Sequence, residues 1–175
     1  MREPEKLTKE IEAMIRVDQA GEFGATCIYA GQLAVLKSST ITPTLQHMAE
    51  QEQEHLKTFN DLCVVHGVQP TILQPFWHVG GFMMGAVTAL MGEKAAHACT
   101  IAVEEVIADH YQNQLDRLGL REPELKAVIT KFRDEELQHK EHAEHEGGRD
   151  APAYQAITSV VKRITKTAIW LSERI

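Results

Sequence analysis

Basic charge is in short supply in this chain. Its 18 Lys and Arg face 25 Asp and Glu, for a formal charge of −7 at pH 7 with His neutral. That balance argues against nucleic acid as a partner, because a binder needs basic surface to displace the counterions of a phosphate backbone. Cysteine is sparse as well. Cys27, Cys63 and Cys99 are scattered with no Cys-x-x-Cys, which excludes a disulfide framework or a thiolate zinc site. They read as small buried side chains in a reducing compartment. Strand-like alternation of useful length is missing. The apolar segment Val79 to Gly92 is fourteen residues, short of the roughly 20 that cross a bilayer as a helix. No cleavable leader is expected, and a charged helix over Arg2 to Glu12 is expected instead.

What remains is a helical chain of 175 residues, read as one domain over 1–175 with a sizeable core. Pro4, Pro43, Pro70, Pro75, Pro123 and Pro152 sit where a helix would begin or a linker would run. Ser38-Ser39-Thr40, followed by Pro43, separates a first helix from a second. Gly119 and Pro123 make a short turn between two later helices, and Gly147 to Pro152 sets off a last one.

Inside the helices a pattern repeats. Glu22 is followed by Glu52-x-x-His55, and Glu104 by Glu136-x-x-His139. Chance alone supplies roughly one Glu-x-x-His in a chain of this composition, so the motif needs support from its phase. Ile11, Ile15, Glu22, Tyr29, Leu33 and Leu36 share one helical stripe. Leu45, Met48, Glu52, His55, Phe59 and Leu62 share a second. His97, Ile101, Glu104, Ala108, Tyr111, Leu115 and Leu118 share a third, and Leu125, Val128, Phe132, Glu136, His139 and Ala143 a fourth. Such stripes face a core. Four carboxylates buried together would take up protons unless cations cancel them, and two divalent ions supply the four positive charges needed. One imidazole per metal among carboxylates suits iron or manganese. The fold class that follows is all-α: a ferritin-like four-helix bundle holding a di-metal carboxylate site.

Residues around the ligands have candidate roles. Metal-bound imidazoles usually donate their second N–H to a carboxylate or carbonyl. Asp18, one turn before Glu22, and Glu105 are candidates for that, whereas the phase of Asp134 points elsewhere. Tyr111, with His110 beside it, is either a relay of protons or electrons or a core tyrosine with a satisfied hydroxyl. His142 and His145 fall outside the ligand set.

Between the halves of the repeat, Val79 to Gly92 reads VGGFMMGAVTALMG, preceded by Phe76 and Trp77. This apolar segment is a buried hairpin, a helix in a membrane interface, the lining of an apolar tunnel, or plain core. Its glycines permit close packing or a bend. The last helix is amphipathic: Ile157, Val160, Val161, Ile164, Ala168 and Leu171 form a stripe, with Lys162, Arg163, Lys166 and Trp170 around it. A basic amphipathic helix of this kind either lies on anionic lipid or packs on the bundle.

RVDQAGEFGA (Arg16 to Ala25), IYAGQLAVL (Ile28 to Leu36), EQEHLKTFN (Glu52 to Asn60), ACTIAVEEVIADHY (Ala98 to Tyr111), FRDEELQHKEHA (Phe132 to Ala143) and AIWLSERI (Ala168 to Ile175) resemble the demethoxyubiquinone hydroxylase family of ubiquinone biosynthesis. The resemblance spans nearly the whole chain and includes Glu22, Glu52, His55, Glu104, Glu136 and His139. It implies a di-iron monooxygenase with two Fe ions per chain. Dioxygen would be the co-substrate, a prenylated demethoxyubiquinol the substrate, and the quinol pool or NADH the source of two electrons. It also implies peripheral attachment to the membrane that holds the substrate, at the inner face of a bacterial cytoplasmic membrane or the matrix side of the mitochondrial inner membrane. In some relatives a lipid-binding protein of the same pathway assists delivery, and a homo-oligomer is compatible with the sequence. The rival readings are a ferritin- or rubrerythrin-like protein that stores iron or reduces peroxide, and a metal-free helical scaffold.

Overall fold

The computed structural model describes residues 8–175. The expected helical start at Arg2 and the proline at 4 lie outside that range. Six α-helices follow in order: α1 Lys9–Val35, α2 Thr42–His66, α3 Gln74–Leu90, α4 Glu93–Leu118, α5 Pro123–His145 and α6 Tyr154–Ser172, with a 3₁₀ turn at Gly148–Asp150. The punctuation is chemical. Thr8 caps α1, its side chain accepting from the Ile11 N–H at 3.4 Å. Pro43 and Pro123 stand in the first turns of α2 and α5, where no N–H is needed. Gly67 ends α2 and Gly119 ends α4, both at positive φ (66° and 59°).

Helices α1, α2, α4 and α5 form the bundle. Short links join α1 to α2 and α4 to α5, and each pair packs together as a helical hairpin. The four stripes face one another, with Tyr29, Phe59, Tyr111, Ile101 and Ile129 fully buried between them. The connection between the two hairpins contains α3, and α6 lies against α4 and α1.

The apolar segment is therefore not a hairpin, and only one face of it, with Gly81, Gly85, Thr88 and Ala89, is core. It is the greater part of one continuous helix laid along α1, and its glycines serve packing rather than a bend. A Cβ at Gly85 would collide with the Ile28 carbonyl oxygen, and one at Gly31 with the Phe82 carbonyl oxygen. A Cβ at Gly81 would come within 2.9 Å of the Gly24 oxygen. Gly80, by contrast, has nothing near its missing Cβ. Replacing Gly85 with Ala should cost about 1–3 kcal/mol of unfolding free energy through overpacking, while Gly80→Ala should be neutral or slightly stabilising. Thermal melting of the two variants side by side checks this. Equal melting temperatures would mean that α3 does not depend on close backbone approach.

The opposite face of α3 is uncovered. Phe76 (69%), Val79 (62%), Met83 (53%) and Leu90 (75%) stand exposed at helical spacing. The stripe of α6 divides: Ile157 and Val161 are buried, while Val160 and Ile164 face outward beside exposed Trp170. Trp77 ties the two helices together by donating from its indole N–H to the Ser172 hydroxyl at 3.0 Å. Among the described residues no helix is long and apolar enough to cross a membrane.

Candidate metal centre

Each bundle helix delivers its in-phase glutamate to the middle of the bundle. Glu22, Glu52, Glu104 and Glu136 are at most 1% exposed, His55 is 1% and His139 is 3% exposed. Their ligand atoms form two groups, each lying within 4.8 Å of one another: Glu22, Glu52, His55 and Glu136 in one, Glu52, Glu104, Glu136 and His139 in the other. Glu52 and Glu136 belong to both. The spacing inside each group is that of a coordination shell. His55 Nδ1 is 3.1 Å from Glu136 Oε1 and 3.5 Å from Glu22 Oε2. His139 Nδ1 is 3.1 Å from Glu52 Oε1 and 3.3 Å from Glu136 Oε2. Two donors each bound at about 2.1 Å to one ion and set near a right angle stand about 3 Å apart.

The atoms facing the centre have no other work. Both oxygens of Glu52 and of Glu136, Glu22 Oε2, Glu104 Oε2, His55 Nδ1 and His139 Nδ1 are buried without a hydrogen-bond partner among the described residues. Buried polar groups in native proteins are almost always satisfied, so this convergence fits a cation at each group. Electrostatics agree. Burial, then the charges of Glu136 and Glu22, push the Glu52 carboxyl well above the usual range. Burial, then Glu136 and Glu52, do the same to Glu104. Burial would raise Glu136 too, but the imidazoles of His139 and His55 beside it outweigh that and hold the carboxyl down at about 2.

The atoms facing away are fully engaged, and they are engaged symmetrically. Tyr111 on α4 donates its hydroxyl to Glu22 on α1. Tyr29 on α1 donates its hydroxyl to Glu104 on α4 at 2.9 Å. Each tyrosine follows its own helix's glutamate by seven residues and serves the glutamate of the other half. The histidines behave likewise: His55 Nε2 meets Glu135 Oε2 at 2.8 Å, and His139 Nε2 meets Gln51 Oε1 at 3.1 Å. Gln51 and Glu135 each immediately precede the glutamate of a Glu-x-x-His.

These partners differ from the sequence expectation. Asp18 does not hold a histidine of the cluster. It accepts from Gln114 at 2.8 Å and lies 3.5 Å from His110 Nε2, and burial raises its carboxyl to about 6. Glu105 faces outward to Lys162 and to Lys140 (3.6 Å), fastening α4 to α6 and α5. Asp134 is exposed and bonded to Arg133, pointing away as its phase indicates. Of the relay pair, Tyr111 is buried in contact with the cluster, while His110 stands one step out, half-buried beside Asp18. Periodicity along one helix cannot find a partner on another. The repeat of Glu-x₆-Tyr, and of a polar residue before each Glu-x-x-His, was the signal that could have found Tyr29, Gln51 and Glu135.

Two cavities lie near the cluster. One, of about 130 Å³, lies between α1, α3, α4 and α6, and its walls are almost wholly apolar: Ala20, Gly24, Trp77, Met84, Ile107 and Ile164 among them. None of the six cluster residues lines it, although Gly21 and Val103, which do, are the neighbours of Glu22 and Glu104. The other, of about 450 Å³, has a mixed lining in which three imidazoles and two amides stand beside Pro43 and Met48, and it opens between the first turns of α2 and the end of α5, reaching His139.

Comparison with known proteins gives a consistent picture. The family described as ubiquinone biosynthesis protein COQ7 matches residues 9–172. The chain is 52% identical over 169 residues to the NADPH-dependent 3-demethoxyubiquinone 3-hydroxylase, mitochondrial, of Bos taurus, covering 94% of this chain and 78% of that protein. It is 52% identical over 166 residues to the 3-demethoxyubiquinol 3-hydroxylase of Rhodospirillum rubrum, with the same two shares covered. It is also 43% identical over 182 residues to the 5-demethoxyubiquinone hydroxylase, mitochondrial, of Saccharomyces cerevisiae, again covering 94% and 78%.

Proposed function

This chain belongs to the COQ7 family of ubiquinone biosynthesis proteins, and from that premise we propose that it is a di-iron monooxygenase that hydroxylates the ring of a prenylated demethoxyubiquinol. The observation that carries the reading is the pair of ligand groups sharing Glu52 and Glu136, with every inward atom unpartnered. Glu22 and His55 would complete one iron position, Glu104 and His139 the other, with Glu52 and Glu136 shared between them. Residues 1–175 are taken as one ferritin-like hydroxylase domain. The hydroxylase names of the relatives favour ring hydroxylation over iron storage or peroxide reduction.

The iron pair, when bound, supplies the redox chemistry that activates dioxygen. The chain supplies the rest. Tyr29 and Tyr111 fix the orientation of Glu104 and Glu22 and keep a proton at each outer oxygen. Glu135 and Gln51 fix the rings of His55 and His139. Burial of the whole cluster keeps bulk water from the reacting centre. Tyr111, with His110 next to it, is the route we assign to a proton or electron arriving from outside. A reduced nicotinamide is the donor in this reading: NADH among the sequence expectations, NADPH in the bovine relative's name.

The apolar cavity suits the prenylated substrate, since its mouth is flanked by exposed Phe76 and Ile164. The uncovered faces of α3 and α6 suit the lipid surface from which such a substrate would come, as in a peripheral protein of a bacterial cytoplasmic or mitochondrial inner membrane. A single turnover tests the reaction: reduced, iron-loaded protein is mixed with a short-tailed demethoxyubiquinol and isotopically labelled dioxygen, and the quinone product is weighed. One labelled oxygen in the product is expected. Oxygen consumed with the quinone unchanged would remove hydroxylation and leave an oxidase or storage protein.

A further inference from the structure

We propose that divalent metal reaches the cluster through the opening at His139, with His47 and His142 as transient ligands on the way in. The inference rests on the two-metal reading above. Its starting point is a contrast between the two cavities. The apolar one has aliphatic walls and touches none of the six cluster residues, and a hydrated cation would lose its water there with nothing in exchange. The other sets the polar groups of Thr44, His47, Gln51, Gln138, His139 and His142 beside Pro43 and Met48. It is open to solvent at one end and ends at a cluster histidine.

Donor atoms run inward along both walls. On α2, His47, Gln51 and His55 follow at four-residue intervals, so they stack along one face. On α5, His142 and His139 are three apart on one face, and Glu136 continues the row inward. His47 is exposed, whereas His142 is half-buried and its Nε2 is fully buried with no hydrogen-bond partner. Such imidazoles are intermediate stations: strong enough to replace water on a borderline divalent ion, and too few to retain it. His142 also lies in the last turn of α5, where the helix dipole favours a cation.

A second observation points to the same side. The two halves of the cluster match residue for residue except in the group that holds each histidine. His55 is held by a carboxylate, Glu135, and His139 by the neutral amide of Gln51. A carboxylate partner raises the basicity of a ligating imidazole more than an amide does. The position built on His139 is therefore the more weakly held of the two, and it is the one beside the opening. Metal arriving there first and passing inward under the shared Glu52 and Glu136 would leave the His139 position as the one that exchanges with solvent.

The test uses the full-length protein stripped of metal, with Co²⁺ alone as the probe and its visible absorption followed by stopped flow. His47→Gln with His142→Gln should slow filling by about tenfold, the scale on which local attraction sets an arrival rate. The final count should remain two ions per chain. Gln138→Trp, an exposed substitution that narrows the mouth without removing an imidazole, should also slow filling. Circular dichroism establishes that each variant is folded. Filling at the parent's rate in both folded variants would overturn the route while leaving the two-metal centre intact. A parent protein that takes up fewer than two ions would overturn the centre itself, and the route with it. Slow filling in the double variant together with parent-like loss of the first ion to a chelator would also overturn the proposal, because a single passage must slow traffic in both directions.

Discussion

A Glu52→Gln protein is expected to lose turnover and its metal while melting, metal-free, at the temperature of its metal-free parent. Glu136→Gln is expected to fail on both counts. The two carboxylates are equivalent in the ligand groups, each shared by both, but not in the chain without metal. Glu52 is pushed well above the ordinary carboxylate range by burial and by its acidic neighbours, so it keeps its proton and an amide of the same shape costs little. Glu136 is held ionised, down at about 2, by His139 and His55. An amide there strips the counter-charge from two buried imidazoles, and breaking a buried pair costs about 3–5 kcal/mol.

The pH dependence has a definite sign. Glu136 is depressed in the folded chain, so its contribution to stability is present above the ordinary carboxylate pKa and is lost as pH falls toward about 2. Glu52 is raised, so an arriving metal must expel its proton, and the parent's metal affinity climbs with pH. Melting with and without metal, beside elemental analysis, reads all of this. A metal in thousandfold excess over its Kd stabilises the parent by about 4 kcal/mol. If Glu52→Gln still takes up two ions and shows the same thermal gain, Glu52 is not a ligand.

If the uncovered face of α3 is the lipid contact proposed above, acidic residues on it should detach the protein from vesicles without touching the reaction centre. Val79 and Met83 are exposed on that face, and each would bury its side chain in an apolar interface for about 1.5–3 kcal/mol. Val79→Glu with Met83→Glu removes both contributions and adds repulsion from anionic headgroups, so partitioning onto vesicles should fall at least about a hundredfold. Co-sedimentation with vesicles containing anionic lipid measures it. Turnover of a short-tailed soluble quinol should be preserved, while turnover of a long-tailed one presented in vesicles should collapse. Unchanged vesicle binding, or no binding by the parent, would overturn that contact.

The bundle and the gathering of six side chains were legible in the sequence for one reason: a helix has a fixed period. Glu22, Glu52, Glu104 and Glu136 each share a phase with neighbours such as Ile15, Met48, Ile101 and Phe132, so all had to point to one interior. The breaks were legible because proline and glycine have few alternatives in backbone geometry, as at Pro43 and Gly119. What lay across a helix boundary was not legible. Asp18 and Glu105 were candidates because they lie beside Glu22 and Glu104 on the same helices, yet His55 and His139 found Glu135 and Gln51 on the opposite helix. Val79 to Gly92 left several readings open because its composition is apolar on every face. Which face packs was decided by the carbonyls of Ile28 and Gly24 on α1 meeting Gly85 and Gly81, a fact about a neighbour.

The crossed tyrosines bear on how the molecule is made. Tyr29 reaches Glu104 across a sequence separation of 75, and Tyr111 reaches Glu22 across 89. Neither hairpin contains the tyrosine that holds its own Glu22 or Glu104. The hairpins can collapse early from local contacts, but the enclosure finishes only when the two halves of the chain have found each other, after the largest loop-closure entropy has been met. A newly synthesised chain emerging from the ribosome would pass through α1, α2 and α3 with Glu22, Glu52 and His55 still unenclosed. Completion of the cavity is thus deferred to the last third of translation, and the nascent first half is the interval in which this protein most needs protection from aggregation.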